Sequence, residues 1–280
     1  MSPSVVLSAG EVEYDDTGGT GPVLVLTHGL LMSGTVWRHV VPALAPRYRC
    51  IIPTLPLGAH RIPMHADADL TLGGHARLLE ELLVALDLED VTLVQNDWGP
   101  AQPLLGLGLG TRVIRLVLTS SEMFDNYPPR PARPGVLLAR VRGGLWPIMW
   151  ALQRRAVQRA PGSWGWLSRR EVPQDVISAW MRPAYEDPRV RRDLAKYWAS
   201  HTPRRTLVAW ADRMCEFDGP VLVLWAREDR MMPPAHADEL GRRLRDCRVE
   251  LVDDSYTLLT EDQPAATSEA ILRFLADTDR

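Results

Sequence analysis

A chain of 280 residues with 46% hydrophobic composition can bury one full core, so a single catalytic-sized unit with an insertion is expected. Its formal net charge of -3 gives no global basic field, so we expect a small-molecule substrate and no nucleic-acid or membrane partner. Cys50, Cys215 and Cys247 are widely spaced without a CxxC pair, which argues against a disulfide framework or structural zinc and for a reducing, cytoplasmic setting.

In chain order, the opening "MSPSVVLSAGEVEYDD" lacks a basic segment followed by a long apolar run, so neither a secretion signal nor a membrane span is expected. "VVLSAGEVEY" alternates like an early strand or hairpin, and "PVLVLTHG" reads as a buried strand ending in Gly. "WRHVVPALA" predicts a helix and "YRCIIPTL" a strand, while "LGGHARLLEELLVALDL" has the leucine spacing of an amphipathic helix. The strand "VTLVQN", the helix "PAQPLLGLGLG" and the strand "IRLVLTSS" follow. Strands alternating with helices imply βαβ units and a mostly parallel, doubly wound α/β sheet. From about Glu122 to Asp218 the pattern becomes helical and punctuated by Pro and Gly, with 17 Lys and Arg against 10 Asp and Glu. That cationic balance reads as a solvated arginine face, or as an attraction for an anionic substrate. Seven of the ten tryptophans lie there, and a subset facing inward would wall an aromatic pocket. The β-rich register resumes with "PVLVLWARED", the helix "AHADELGRRLRD", the strand "RVELVDD" and the helix "PAATSEAILRFLA". The division expected is a core of 1–121 and 219–280, with 122–218 as a helical cap.

The junction "VTLVQNDWGPAQ" places Asp97 between a strand and a helix. An Asp there serves either as a helix N-cap or as an exposed carboxylate. Together with "LTHGLLMSGTVWRHVVPAL", "PVLVLWAREDRMMPP" and "VELVDDSYTLLTEDQPAATSEAILRFL", this junction resembles the α/β-hydrolase superfamily, in its haloalkane dehalogenase and epoxide hydrolase branch. The resemblance implies an α/β-hydrolase fold with Asp97 as nucleophile and Asp229 as the triad acid. It also implies backbone N–H donors from Leu30 and Trp98 for a developing oxyanion, and a Trp98 indole that stabilises a departing halide. An Asp suits displacement at an sp3 carbon, forming an alkyl ester that a histidine-activated water then cleaves.

The pattern departs from that family at Gln95, two residues before the nucleophile where Gly is usual, at Pro100, and at Thr257. Gln95 implies either a relaxed turn or a polar side chain reaching into the site. Pro100 falls in a first helical turn, where a missing N–H costs little. The family's Gly-His pair falls on Tyr256 and Thr257, and a threonine hydroxyl is no general base near neutral pH. Of the seven histidines, His60 in "PTLPLGAHRIPM" is the candidate substitute, its alternative being a loop residue bonded to backbone. His28 reads as structural, and His39 and His75 as surface or packing residues. Asp229 is then left to bond Thr257 or Tyr256, or to pair with Arg230. A second acid is expected at Glu122 or Asp125, and Tyr127, Tyr185 and Tyr197 are candidate lid donors.

Three functions stay open at this point. One is a hydrolase of a carbon–halogen bond or an epoxide, with an atypical triad. Another is a lyase, isomerase or cyclase on the same scaffold, and the last is an inactive homologue holding an apolar ligand. No metal and no cofactor are expected, and the oligomeric state is open, a homodimer included.

Overall fold

The computed structural model describes residues 2–279. The expected hairpin is β1 (Ser4–Leu7) and β2 (Gly10–Asp16), paired antiparallel. Next come β3 (Val23–Thr27), α1 (Val41–Leu44), β4 (Arg49–Pro53), α2 (Leu72–Ala85), β5 (Val91–Asp97), α3 (Ala101–Gly106) and β6 (Val113–Ser121). The helix expected at "WRHVVPALA" is broken in two. A 3-10 turn ends at Trp37, and α1 starts anew with Pro42 in its first turn, the one place where a residue without N–H costs no helical bond.

The chain then runs through α4 (Arg133–Ala139), α5 (Leu145–Ala151), α6 (Arg155–Gln158), α7 (Trp164–Leu167), α8 (Gln174–Glu186), α9 (Pro188–Trp198) and α10 (Arg204–Met214), with no strand among the described residues of this stretch. It closes with β7 (Val221–Ala226), α11 (Ala235–Arg243), β8 (Cys247–Val252), α12 (Leu259–Asp262) and α13 (Pro264–Thr278).

The eight strands form one sheet in the order β1-β2-β4-β3-β5-β6-β7-β8. β1, β2 and β4 pair antiparallel, and every pair from β4 to β8 is parallel. The central strands "VTLVQND" and "VLVLWA" are buried at every position, which explains why the second runs apolar instead of alternating and why the first turns polar only toward the site at its end, Thr92 apart. Parallel strands end on the same edge of a sheet, so the loops after β3, β5, β6, β7 and β8 meet there, where open α/β sheets bind ligands.

Two buried carboxylates tie the helices between β6 and β7 to the rest. Asp193 on α9 is fully buried and accepts from Met64 N–H at 2.8 Å and from the Arg192 guanidinium at 2.7 Å. Asp262, also fully buried, accepts from Ser168 Oγ and the N–H groups of Arg169 and Arg170 at 2.8 Å, and from Tyr256 N–H at 2.9 Å. Each burial is offset by charge-assisted hydrogen bonds, of which those from Met64 to Asp193 and from residues 168–170 to Asp262 would be lost if these helices moved away from the sheet.

Candidate active site

Asp97 ends β5 with φ of 62°, in the left-handed region that a residue with a Cβ adopts only under constraint. The pairing with β6 shifts register between Asn96 and Asp97, and the chain turns sharply into α3. Three contacts hold the turn. Glu122 N–H donates to the Asp97 carbonyl at 2.8 Å, the buried Gln95 Oε1 accepts from Ala101 N–H at 3.0 Å, and Gly99 lies so close to the Glu122 carbonyl that a Cβ would sit 2.0 Å from it. Gln95 therefore caps the start of α3 and lines neither cavity at Asp97. Of its two alternatives, the side chain reaching into the site is the one the structure sets aside.

The carboxylate is 7% exposed and accepts from Leu30 N–H at 3.2 Å through Oδ2. Burial pushes its pKa up to about 7, with the Leu30 bond opposing and the charge of Asp229 adding to the rise. The loop after β3 brings the Leu30 donor close only because residue 29 is glycine. A Cβ at Gly29 would lie 1.7 Å from Asp97 Oδ2. His28 is buried, accepts from Leu55 N–H at 2.9 Å, and is structural as expected.

Asp229, after β7, accepts through Oδ1 from Met231 N–H at 2.9 Å, Met232 N–H at 2.8 Å and Thr257 Oγ1 at 2.8 Å, while its buried Oδ2 has no partner. Burial raises its pKa to about 6 against those donors. The Thr257 carbonyl in turn accepts from Asn96 Nδ2 at 2.8 Å, which locks the loop after β8 to the residue before Asp97. Glu122, after β6, lines both cavities beside Asp97 and takes a long hydrogen bond from Tyr197 Oη at 3.5 Å. Burial and the Asp97 charge raise its pKa well above the usual carboxylate range, with the Tyr197 hydrogen bond opposing.

A cavity of about 230 Å³ opens over Asp97 and Glu122, bounded by Leu30, Trp164, Trp198 and Met231. The sequence of residues 22–264 matches the family described as alpha/beta hydrolase fold. The chain belongs to that family. Among relatives of this alpha/beta hydrolase, a cis-3-alkyl-4-alkyloxetan-2-one decarboxylase from Xanthomonas campestris is 28% identical and spans 98% of this chain and 94% of its own. A haloalkane dehalogenase from Mesorhizobium japonicum is 40% identical over 32% of this chain and 28% of its own. A haloalkane dehalogenase structure from Bradyrhizobium elkani superposes with a TM-score of 0.76 at 20% identity, covering 98% of this chain and 97% of that one, a likeness of fold alone. The chain is an enzyme of hydrolase type.

The alpha/beta hydrolase scaffold brings Leu30, Asp97, Trp98, Glu122, Asp229 and Thr257 to one edge of the sheet and leaves other candidates outside. Trp98 is almost fully buried with its indole Nε1 unpartnered, and it lines the smaller cavity with Asp97, Glu122 and Tyr197. His60 sits elsewhere: it is buried with Nε2 3.3 Å from Asp193 and Nδ1 accepting from Gly58 N–H at 3.4 Å, and it borders neither cavity. Asp125 is carried outward past Phe124, whose φ is 57°, and pairs with Arg204 at 2.6 Å on the surface. Tyr256 stacks under the Arg230 guanidinium at 4.4 Å instead of facing Asp97. Of the tyrosines, Tyr127 does line the smaller cavity and shares a hydrogen bond with Ser200 Oγ at 2.8 Å, whereas Tyr185 borders neither cavity. His75 is a packing residue, as read, yet it supports the site: its ring meets Trp98 edge-on at 5.6 Å and Tyr197 at 4.9 Å. Its position on α2 gave no local signal of that contact.

Proposed function

We propose that this alpha/beta hydrolase cleaves a small apolar molecule, with Asp97 as nucleophile and residues 122–218 as a cap over the pocket. The observation that carries the reading is the Asp97 carboxylate, set on a left-handed elbow, bonded to Leu30 N–H and facing a cavity walled by Leu, Trp and Met side chains. Small-ligand sites combine such apolar walls with a few convergent polar groups. A carboxylate there attacks an sp3 carbon bearing a halide or an epoxide oxygen and forms an alkyl ester. Leu30 N–H already points at the oxygen that becomes the oxyanion when this ester is hydrolysed. The unpartnered Trp98 indole N–H is a donor for the leaving group.

Thr257 Oγ1 bonds Asp229 and no histidine lines either cavity, which supports reading the second half-reaction as relying on another group. Glu122 fits that part. Protonated at first, it gives its proton to an epoxide oxygen as the carbon–oxygen bond breaks. As a carboxylate it then takes a proton from water attacking the ester carbonyl. Collapse breaks the acyl–oxygen bond, the alkoxide takes the proton of the new Asp97 acid, and the water oxygen stays in Asp97.

A second reading is a lyase, favoured because no histidine lines either cavity and because the relative spanning 98% of this chain decarboxylates an oxetanone. Asp97 would attack the sp3 ring carbon bearing oxygen, opening the ring to an alkyl ester with a free carboxylate. Loss of carbon dioxide would place the electron pair in a carbon–carbon double bond as the Asp97 ester bond breaks, with no water consumed and no base required. One experiment separates these readings: intact-protein mass spectrometry and product analysis with haloalkanes, terminal epoxides and oxetan-2-ones in ¹⁸O-water. Label entering Asp97 with alcohol or diol product supports the hydrolase, and alkene without label supports the lyase. Undiminished turnover by Asp97→Ala would sink both.

A further inference from the structure

We propose that the outer face of α4 and α5 docks on an anionic lipid bilayer. Among the described residues eight large hydrophobic side chains are exposed, and five of them fall in one short stretch: Leu137, Leu138, Val141, Trp146 and Trp150, from 43% to 67% exposed. Residues 126–170 contain nine arginines, no lysine and no Asp or Glu. Arg130, Arg140, Arg142 and Arg155 have no carboxylate partner among the described residues, and Arg154 lies over the Trp150 ring at 3.5 Å. Beside this face an open groove of about 970 Å³ is bordered by Arg140, Arg142, Trp146, Arg189 and Lys196. Apolar side chains that insert, tryptophans at the headgroup level and arginines that meet phosphates are the composition of an interfacial membrane surface.

Charge chooses among the occupants of this face. A second copy docked through the same surface would set arginines against arginines with no carboxylate between them, which a two-fold contact cannot relieve. An anionic bilayer supplies the missing negative charge and an apolar phase together. The net charge of -3 averages over this face, which is why the whole chain reads as non-basic while one side of it is strongly cationic. Among the described residues no helix is long and apolar enough to cross a membrane, so the contact is peripheral. The position suits the site, because Gly135 on α4 and Ile148 on α5 turn inward to the cavity over Asp97. An apolar substrate dissolved in the bilayer would then enter where the protein touches the lipid.

The test is co-sedimentation of the full chain with phosphatidylglycerol–phosphatidylcholine vesicles and with phosphatidylcholine alone, followed also by tryptophan emission. Binding to the anionic vesicles, a blue shift, weakening with salt, and a fall of about fivefold for each of Arg140→Gln and Arg142→Gln are expected. Leu137→Asp with Val141→Asp should abolish binding while the melting temperature is kept, since both side chains are exposed. Failure of the wild-type chain to bind anionic vesicles at low salt overturns the proposal, as does binding that these variants leave undiminished. Equal binding to neutral vesicles overturns the role of charge, and a solution dimer that Leu137→Asp dissolves assigns the face to a second copy.

Discussion

In the proposed reaction Asp97 draws its reactivity from what surrounds it. Among the described residues no cation pairs with it; one backbone donor and a buried setting leave its pKa at about 7. The nucleophile must be ionised, so kcat/KM should rise with pH through about 7, and it should fall again where the proton on Glu122 is lost. A profile flat between pH 6 and 8 would contradict this. Gly29 supplies the complementary test. The methyl of Gly29→Ala would meet Asp97 Oδ2 at 1.7 Å and its Cβ at 2.6 Å, pushing the carboxylate from Leu30 N–H and shifting the turn, so kcat should drop about 100-fold and the melting temperature should fall as well. At this scale the sequence was informative where a motif surrounds the residue. The strand–helix junction at Asp97 and the bond of Thr257 to Asp229, one of the alternatives left open, were readable in that way. His60 was not, because nothing near it in the chain announces Asp193, which lies 133 residues away.

Elements explain what residues could not announce. The strand–turn–helix around Asp97 was legible because "VTLV" is β-branched and apolar ahead of the polar "QND", and Pro100 suits a helix start. The role of Gln95 was open in the sequence between a relaxed turn and a side chain in the site; the bond to Ala101 N–H at the start of α3 was neither, because an amide does not announce a helix end. The loop after β6 split its two acids, Glu122 inward and Asp125 outward, through a positive φ at Phe124 that its side-chain type does not signal. Asp262 was silent for the same reason: its donors come from residues 168–170 and 256. Asp262→Ala would orphan those buried donors, and we expect a loss on the order of 3 kcal/mol or more in urea unfolding. A loss below about 1 kcal/mol would mean that water replaces the carboxylate.

At the scale of the molecule, the site opposes the stability of the fold. A carboxyl whose folded pKa is raised binds its proton more tightly when folded. Its contribution is fully present below the unfolded value of 3.8 and is lost as pH rises through about 7. Asp97→Asn should therefore melt above the wild type at pH 8, with the difference vanishing below pH 4. An equal melting temperature at both pH values would show that Asp97 is solvated more than its burial implies. Parallel sheet, the helices between β6 and β7 and the resumed sheet were visible from periodicity alone; the docking of those helices was not, because it depends on long-range polar contacts.

Asp193 and Asp262 carry one more consequence. They fasten the insertion at two separate places, α9 and the 168–170 segment, so it cannot swing on a single hinge. Gating must come from the span ahead of both anchors, residues 126–163, breathing while they stay shut. Amide hydrogen exchange should then run faster along α4 and α5 than at Arg169, Arg170 or Met64, whose N–H groups the anchors hold. Uniform exchange over the whole insertion would instead mean that it lifts as one body.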